Sequence, residues 1–137
     1  MDKKITLLGN GSWSSALAKI LTDNGHKVQW WMRSKEAIDA IRLTAHNPHY
    51  LTSVKYDTTL LHLHHDICEA IEAGDLIIIG IPSAFVAEAL TPCSLNVFQN
   101  KIVLSAIKGI LPGKNVLLNE YLQEQFDVNI EHYGCIS

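Results

Sequence analysis

Short apolar runs alternate with amphipathic stretches along this chain. The apolar runs are typical of strands, and stretches with apolar residues three or four positions apart are typical of helices. The pattern predicts strands at residues 4–8, 27–32, 60–64, 76–82 and 101–106, and helices at 12–24, 35–42, 66–73, 84–90 and 115–125. Gly25 follows the first predicted helix in the position of a C-terminal cap, and Asp66 begins another in the position of an N-terminal cap. Strands and helices are therefore expected to alternate along the chain.

The run LIIIGIP, residues 76–82, contains no polar side chain. Because a strand that is apolar on both faces must be covered on both, this run predicts a central strand of a parallel sheet. The alternation around it predicts an α/β fold with a Rossmann-like, doubly wound and mostly parallel sheet and helices on both faces. No linker or internal repeat interrupts the pattern, so one domain is expected over residues 1–137.

Composition and charge exclude several classes of protein. Of the 137 residues, 47% are hydrophobic and 18% are charged, which is typical of a folded globular domain. The formal net charge is −3 and no run of Lys or Arg occurs, so binding to nucleic acid or to an anionic membrane is not expected. No apolar stretch reaches the roughly 20 residues that span a bilayer, and the N-terminal apolar run is too short for a signal peptide. A cytoplasmic protein without membrane insertion is expected.

Candidate metal, disulfide and nucleophile sites are weak in this sequence. Cys68, Cys93 and Cys135 are odd in number and widely spaced, which favours reduced thiols over a disulfide framework or a zinc site. His62 and His64 share one face of a predicted strand, but two imidazoles make an incomplete metal site. No hydrolase nucleophile motif occurs. We therefore expect no bound metal and no covalent hydrolytic catalysis.

The segment GNGSWSSA, residues 9–16, joins the first predicted strand to the first predicted helix. Gly9 lets the chain turn tightly off the strand, and Gly11 has no Cβ, so the backbone can approach a pyrophosphate. The helix N-terminus then presents free N–H groups and a positive dipole to phosphate. Ser14 replaces a third glycine and still permits close packing of the helix on the strand. A plain glycine-rich turn is the alternative, and the surrounding strand and helix favour a dinucleotide site.

The end of the second predicted strand bears on the choice of cofactor. A site for NAD usually places Asp or Glu there to hold the ribose 2′-hydroxyl, about 20 residues after the glycines. This chain has Arg33 and Ser34 at that point. A guanidinium can pair with a 2′-phosphate or stack on the adenine, so NADPH is favoured over strict use of NADH. A solvated arginine is the alternative, and Glu36 is a second candidate to hold the hydroxyl.

Five segments of the chain resemble a known family. GNGSWSSALA, NGHKVQWWMR, NPHYL, AGDLIIIGIPSAFV and SAIKGI occur in the order and spacing of the NAD(P)-dependent glycerol-3-phosphate dehydrogenases. The resemblance implies an N-terminal domain that binds NADP or NAD within a two-domain oxidoreductase. Such an enzyme interconverts dihydroxyacetone phosphate and sn-glycerol 3-phosphate and feeds glycerophospholipid synthesis. The C-terminal helical substrate domain is expected to be absent from this chain.

The resemblance also implies roles for individual residues. Ser12 and Trp13 match cofactor contacts at the phosphate turn, Arg33 matches an adenosine-side contact, and Phe85 matches a residue beside the nicotinamide. Lys108 matches a lysine shared between the cofactor and the small phosphorylated substrate, although a lysine in a surface turn explains its position equally well. The general-base lysine of the family lies in the C-terminal domain, so this chain is expected to hold no catalytic residue and to be inactive alone. Apolar surface left by the missing domain could also support a homo-oligomer.

Two other functions remain open from the sequence. Another two-domain Rossmann dehydrogenase or reductase would carry the same turn and act on a different substrate. A non-catalytic nucleotide-sensing module would use the turn for regulation. The segments GNGSW and IKG favour the glycerol-3-phosphate dehydrogenases, although they do not themselves select a substrate.

Overall fold

A parallel sheet forms the centre of the structure, a computed structural model that describes residues 3–107 and 110–136. Its strands, in chain order, are β1 (Ile5–Leu8), β2 (Val28–Trp31), β3 (Leu61–His64), β4 (Leu76–Ile79), β5 (Ile102–Ser105) and β8 (Tyr133–Cys135), with a separate hairpin of β6 (Ile110–Leu111) and β7 (Val116–Leu117). The six-stranded sheet has the order β3-β2-β1-β4-β5-β8, and each neighbouring pair is parallel. The order reverses between β1 and β4, as in doubly wound folds.

Short helices connect the strands. They are α1 (Ser12–Asp23), α2 (Lys35–Thr44), α3 (Ile67–Ala73), α4 (Val86–Leu90) and α5 (Leu118–Phe126). The predicted cap at Asp66 is confirmed, because its carboxylate accepts hydrogen bonds from the N–H groups of Cys68 and Glu69 at the start of α3. Gly25 follows α1 with a φ of +84°, which confirms the predicted glycine at the helix end. Within the described part of the chain, no helix has the length and apolar character needed to cross a membrane.

The sheet is buried on both faces, as the apolar strands predict. Along β1 and β2, Leu7 and Trp30 pack into a cluster with residues of α1 and α2. Leu8 and Trp31 point to the opposite face and pack with residues of α3, α4 and α5. Because successive side chains of a strand alternate between faces, covering both faces requires helices on both sides. The α/β fold with a doubly wound, mostly parallel sheet is confirmed.

Several boundaries differ from the prediction. The strand predicted at residues 76–82 ends at Ile79, and the helix predicted at 84–90 begins at Val86. The helix predicted at 115–125 begins at Leu118, because the preceding residues pair as the β6–β7 hairpin. Two-residue strands leave no periodic signal in a sequence, so the pattern could not predict this hairpin. Near the C-terminus, β8 extends the sheet beside β5.

The prediction of reduced thiols is wrong for two of the three cysteines. Cys68, at the start of α3, and Cys93, in the turn after α4, form a disulfide. Their Cα atoms are 5.4 Å apart although the residues are 25 positions apart in the chain, and this separation suits a disulfide. The pairing results from the packing of α3 against α4, which cysteine spacing does not reveal. Cys135 is free and exposed, in agreement with the prediction for that residue.

Candidate cofactor-binding site

An open cleft of about 680 Å³ lies beyond the carboxyl ends of β1, β2 and β4. The turn after β1, the residues after β2, the segment after β3 and the start of α4 all contribute to its walls. The cleft therefore spans the point between β1 and β4 where the strand order reverses. Doubly wound sheets bind their ligands at this position, and the volume suits a small-molecule site.

The turn after β1 follows the predicted glycine motif. Gly9 has a φ of +106°, a conformation that side chains with a Cβ rarely adopt. A Cβ on Gly9 would also lie 2.8 Å from the carbonyl oxygen of Gly80, at the end of β4. The N–H of Gly9 donates a hydrogen bond to the carbonyl of Trp31, 2.9 Å away. The fold itself therefore requires glycine at position 9, with or without a ligand.

In contrast to position 9, folding does not require glycine at position 11. Its φ is −66°, which any residue can adopt, and a Cβ built on it meets no atom within 4 Å. Gly11 nevertheless lines the cleft and directly precedes α1, whose start has no side-chain cap. The first N–H groups of a helix need partners from outside the helix, and an anion can provide them. The absent side chain thus keeps space open beside uncapped amide groups.

Ser14 packs the first helix closely against β4, as the sequence predicts. The side chain is buried, and its hydroxyl donates a hydrogen bond to the carbonyl of Gly80 at 3.4 Å. A Cβ on Gly80 would collide with the Ser14 side chain. This pair of small residues sets the distance between the start of α1 and the end of β4, and therefore the depth of the cleft.

Buried side chains beneath the glycine turn hold its backbone. The indole N–H of Trp30 donates a hydrogen bond to the carbonyl of Gly9 at 2.6 Å, and the hydroxyl of Tyr56 donates one to the carbonyl of Ser15 at 2.9 Å. Burial raises the pKa of Tyr56, so its hydroxyl keeps the proton that it donates. Asn47 is fully buried beside them. No local pattern in the sequence marks these contacts.

Arg33 and Phe85 meet at the mouth of the cleft. The guanidinium carbon of Arg33 lies 5.2 Å from the ring centroid of Phe85, and both residues line the cleft. The resemblance assigns these two residues to opposite ends of a dinucleotide, whereas the structure brings them together. An exposed cation–π contact stabilises by only about 0.5–1 kcal/mol. A phosphate, which forms charge-assisted hydrogen bonds of about 1.5–3 kcal/mol, can therefore displace the ring from Arg33.

Other residues named from the sequence differ in their relation to the cleft. Ser12 and Trp13 lie in the first turn of α1 and are exposed, and neither belongs to the described lining of the cleft. Glu36, the alternative partner for a ribose hydroxyl, lies in the first turn of α2 and is also outside that lining. Ser34 caps α2 by accepting a hydrogen bond from the N–H of Ala37. Lys108 lies outside the described residues.

The cleft carries acidic and basic groups, but residues 3–107 and 110–136 contain no cluster of three or more His, Cys, Asp or Glu side chains suited to a metal ion. Asp66 and Glu88 line one side, and the Asp66 carboxylate is engaged at the start of α3. His62 and His64, the pair considered from the sequence, stack on each other with ring centroids 4.5 Å apart. Burial and the nearby positive groups lower the pKa of His64.

Comparisons with known proteins give consistent results. Residues 4–137 match the family described as NAD-dependent glycerol-3-phosphate dehydrogenase N-terminus. The glycerol-3-phosphate dehydrogenase (NAD(P)+) of Bifidobacterium longum is 31% identical over 137 residues, covering 100% of this chain and 41% of that protein. The corresponding protein of Pseudomonas fluorescens is 34% identical over 123 residues, covering 90% of this chain and 36% of that protein. This chain thus spans about two fifths of the length of these curated relatives.

Solved structures agree at the level of the fold. The crystal structure of glycerol-3-phosphate dehydrogenase from Coxiella burnetii superposes with a TM-score of 0.79 at 26% identity, covering 93% of this chain and 38% of that one. The imine reductase from Aspergillus terreus, in complex with NADPH4, superposes with a TM-score of 0.65 at 21% identity, covering 98% and 39%. At that identity the second likeness supports the fold alone.

Proposed function

The chain belongs to the NAD-dependent glycerol-3-phosphate dehydrogenase family, matching its N-terminal, NAD(P)-binding domain, and we propose that it binds the cofactor in the cleft beyond β1, β2 and β4. The pyrophosphate lies against the N-terminus of α1 and the backbone of the glycine turn. The adenosine ribose lies toward Arg33, and the nicotinamide lies toward Phe85, whose ring gives up its contact with Arg33 when a phosphate binds there. Gly9, Gly11, Ser12 and Trp13 provide the phosphate side of this site.

The proposal rests chiefly on the environment of Gly11. Neither its backbone conformation nor the space around it requires glycine. Gly11 lines the cleft and directly precedes a helix start that has no side-chain cap. This position gives a reason for glycine that folding alone does not give. A ligand that approaches the backbone closely explains why a side chain is absent here.

The activity of the longer protein follows as part of the same proposal. The full-length enzyme interconverts dihydroxyacetone phosphate and sn-glycerol 3-phosphate, with a C-terminal helical domain completing the substrate site and Lys108 contacting the substrate. The bound cofactor supplies the hydride chemistry. The residues of this chain bind and orient it, and a general base is provided by the C-terminal domain.

Isolated from that second domain, this chain is expected to show no enzyme turnover. In this proposal the general base lies in the C-terminal domain, and alignment of substrate with cofactor needs residues from both domains. The measurement is spectrophotometric oxidation of NADPH in the presence of dihydroxyacetone phosphate. A rate that rises in proportion to the concentration of purified chain would contradict this expectation.

Arg33 is expected to make the site prefer NADPH over NADH. Arg33→Ala removes the guanidinium that pairs with the 2′-phosphate, whereas NADH has no phosphate at that position. One charge-assisted hydrogen bond corresponds to about tenfold in affinity. Parallel calorimetric titrations with NADPH and NADH should therefore show the ratio of the two affinities falling about tenfold in the variant.

Lys27→Ala provides the matched control for Arg33→Ala. Lys27 is exposed and directly precedes β2. The substitution therefore removes one positive charge at the opposite end of the strand that Arg33 follows. The control should keep the native ratio of affinities. An unchanged ratio in Arg33→Ala, or an equal decrease in both variants, would show that Arg33 does not bind the 2′-phosphate.

A further inference from the structure

Asn47 is a buried amide whose side chain joins two parts of the cleft. It lies in the loop after α2 and has no exposed surface. Its Nδ2 atom lies 3.0 Å from the hydroxyl oxygen of Ser15 and 3.5 Å from the carbonyl oxygen of Asn10. Its Oδ1 atom accepts hydrogen bonds from the N–H groups of His49 and Tyr50, at 2.9 and 3.3 Å. Both the donor and the acceptor side of the amide are therefore in use.

The orientation of the Asn10 carbonyl affects how the turn can bind a ligand. Asn10 stands between the two glycines of the turn and lines the cleft. Its carbonyl oxygen also accepts a hydrogen bond from the Ser15 hydroxyl at 3.1 Å. Two donors thus hold this oxygen toward the buried side of the turn. An oxygen that faced the cleft would instead place a partial negative charge against an incoming phosphate.

The orientation of that carbonyl determines the direction of the next N–H. The peptide bond between Asn10 and Gly11 is trans, and the C=O and N–H of a trans peptide point in opposite directions. With the Asn10 oxygen held inward by Asn47 and Ser15, the N–H of Gly11 points away from them, toward the cleft side of the turn. This N–H is a donor placed for the pyrophosphate of a dinucleotide.

The acceptor side of the Asn47 amide binds the loop that carries Tyr50. Tyr50, whose N–H it binds, lines the cleft and is partly exposed there. Pro48 follows Asn47 and disfavours a helical backbone at that residue. One side chain thereby fixes both the phosphate turn and the loop that carries Tyr50. Asparagine suits this position because its amide offers two donors and an acceptor within one short group.

We propose that Asn47 is a positioning residue for the dinucleotide, which directs the Gly11 N–H at the pyrophosphate and couples the phosphate turn to the wall at Tyr50. This inference rests on the proposed cofactor site. Removing the amide takes away one donor to the Asn10 oxygen and also the group that donates to the Ser15 hydroxyl and orients it. The Asn10–Gly11 peptide can then rotate, and a rotated peptide presents its oxygen to the phosphate. Affinity for compounds that contain the pyrophosphate then falls, whereas the adenosine side, formed by Arg33, is retained.

The test compares Asn47→Ala with the native chain, using three probes in calorimetric titrations. NADPH and ADP-ribose contain the pyrophosphate, and adenosine 2′-monophosphate does not. The variant should bind the first two about tenfold more weakly, the loss of one charge-assisted hydrogen bond, and should bind the third within about twofold of the native affinity. A loss confined to compounds with the pyrophosphate is not expected from a residue that only stabilises the fold.

Two further variants keep the experiment decisive if Asn47→Ala folds poorly. Ser15→Ala removes the second donor to the Asn10 carbonyl. It is expected to lower the affinity for NADPH and ADP-ribose by about threefold and to leave the affinity for adenosine 2′-monophosphate unchanged. Asn129→Ala removes another asparagine, whose side chain accepts a hydrogen bond from the backbone N–H of Glu131. Asn129 lies far along the chain from the turn. This control should bind all three probes as the native chain does.

The outcomes distinguish failure of the proposed cofactor site from failure of the positioning role of Asn47. If the native chain binds neither NADPH nor ADP-ribose, the proposed cofactor site is wrong, and the role of Asn47 falls with it. If the native chain binds both and folded Asn47→Ala or Ser15→Ala binds them equally well, only the positioning role is overturned. Equal weakening of all three probes would also overturn it.

Discussion

Replacing Gly11 by valine is expected to lower the affinity for NADPH about a hundredfold while the domain stays folded. The side chain would project into open space in the cleft, where the backbone must approach the pyrophosphate. Losing two charge-assisted hydrogen bonds to the phosphate costs about 3 kcal/mol, or about two powers of ten in affinity. The φ of −66° accepts valine without strain, so the fold loses only about 1 kcal/mol from a poorer helix cap.

Calorimetry and thermal unfolding measure these two effects separately. Gly11→Ala, which adds a single methyl group, serves as the graded control and should bind NADPH with intermediate affinity. Gly11→Val that binds NADPH as tightly as the native chain would show that the ligand does not approach this backbone. An unfolded Gly11→Val would show instead that the glycine has a role in the fold, contrary to the open space around it.

Gly9→Ala is expected to have the opposite profile and to destabilise the fold itself. The φ of +106° is strained for alanine, and the new Cβ would lie 2.8 Å from the oxygen and 2.9 Å from the carbon of the Gly80 carbonyl. Both obstacles are backbone atoms at the end of β4, which cannot rotate away as a side chain can. Strain together with this collision is expected to cost about 3 kcal/mol, which lowers the midpoint of thermal unfolding by roughly 10 °C.

Gly25→Ala separates strain from collision in this prediction. Gly25 also has a positive φ, +84°, but a Cβ on it meets no atom within 4 Å. Alanine there should cost about 1 kcal/mol from the left-handed conformation alone. Thermal unfolding of the two variants side by side gives the contribution of the β1–β4 contact. Equal midpoints would mean that the close approach of Gly9 to Gly80 does not limit this turn.

Local signals in the sequence account for the order of elements and the position of the cleft. The glycines, the start of α1 at Ser12 and the run that becomes β4 each have a pattern that is read within a few residues. Chain order then places β1 beside both β2 and β4, because parallel strands joined by helices wind outward from a shared centre. The Asp66 cap was predictable for the same reason, since a cap depends only on its neighbours.

Contacts between distant segments account for what the sequence did not reveal. Trp30 and Asn47 stabilise the glycine turn from 21 and 37 positions along the chain from Gly9 and Asn10. Nothing in their local sequence marks a side chain that binds a backbone carbonyl elsewhere. Cys68 and Cys93 pair through the packing of α3 on α4, and the contact between Arg33 and Phe85 depends on how β2 ends relative to α4. Each of these results from long-range packing.

The most direct test of the cofactor site is a titration of the chain with NADPH, followed by proton–nitrogen NMR spectra of the backbone amides. We expect binding in this cleft to produce saturable shifts that are largest for the amides between Gly9 and Ser12, with further shifts at Arg33 and Phe85. Spectra without saturable shifts would contradict it. So would shifts concentrated in the small groove between Leu95 and Phe126, another concavity of the described surface.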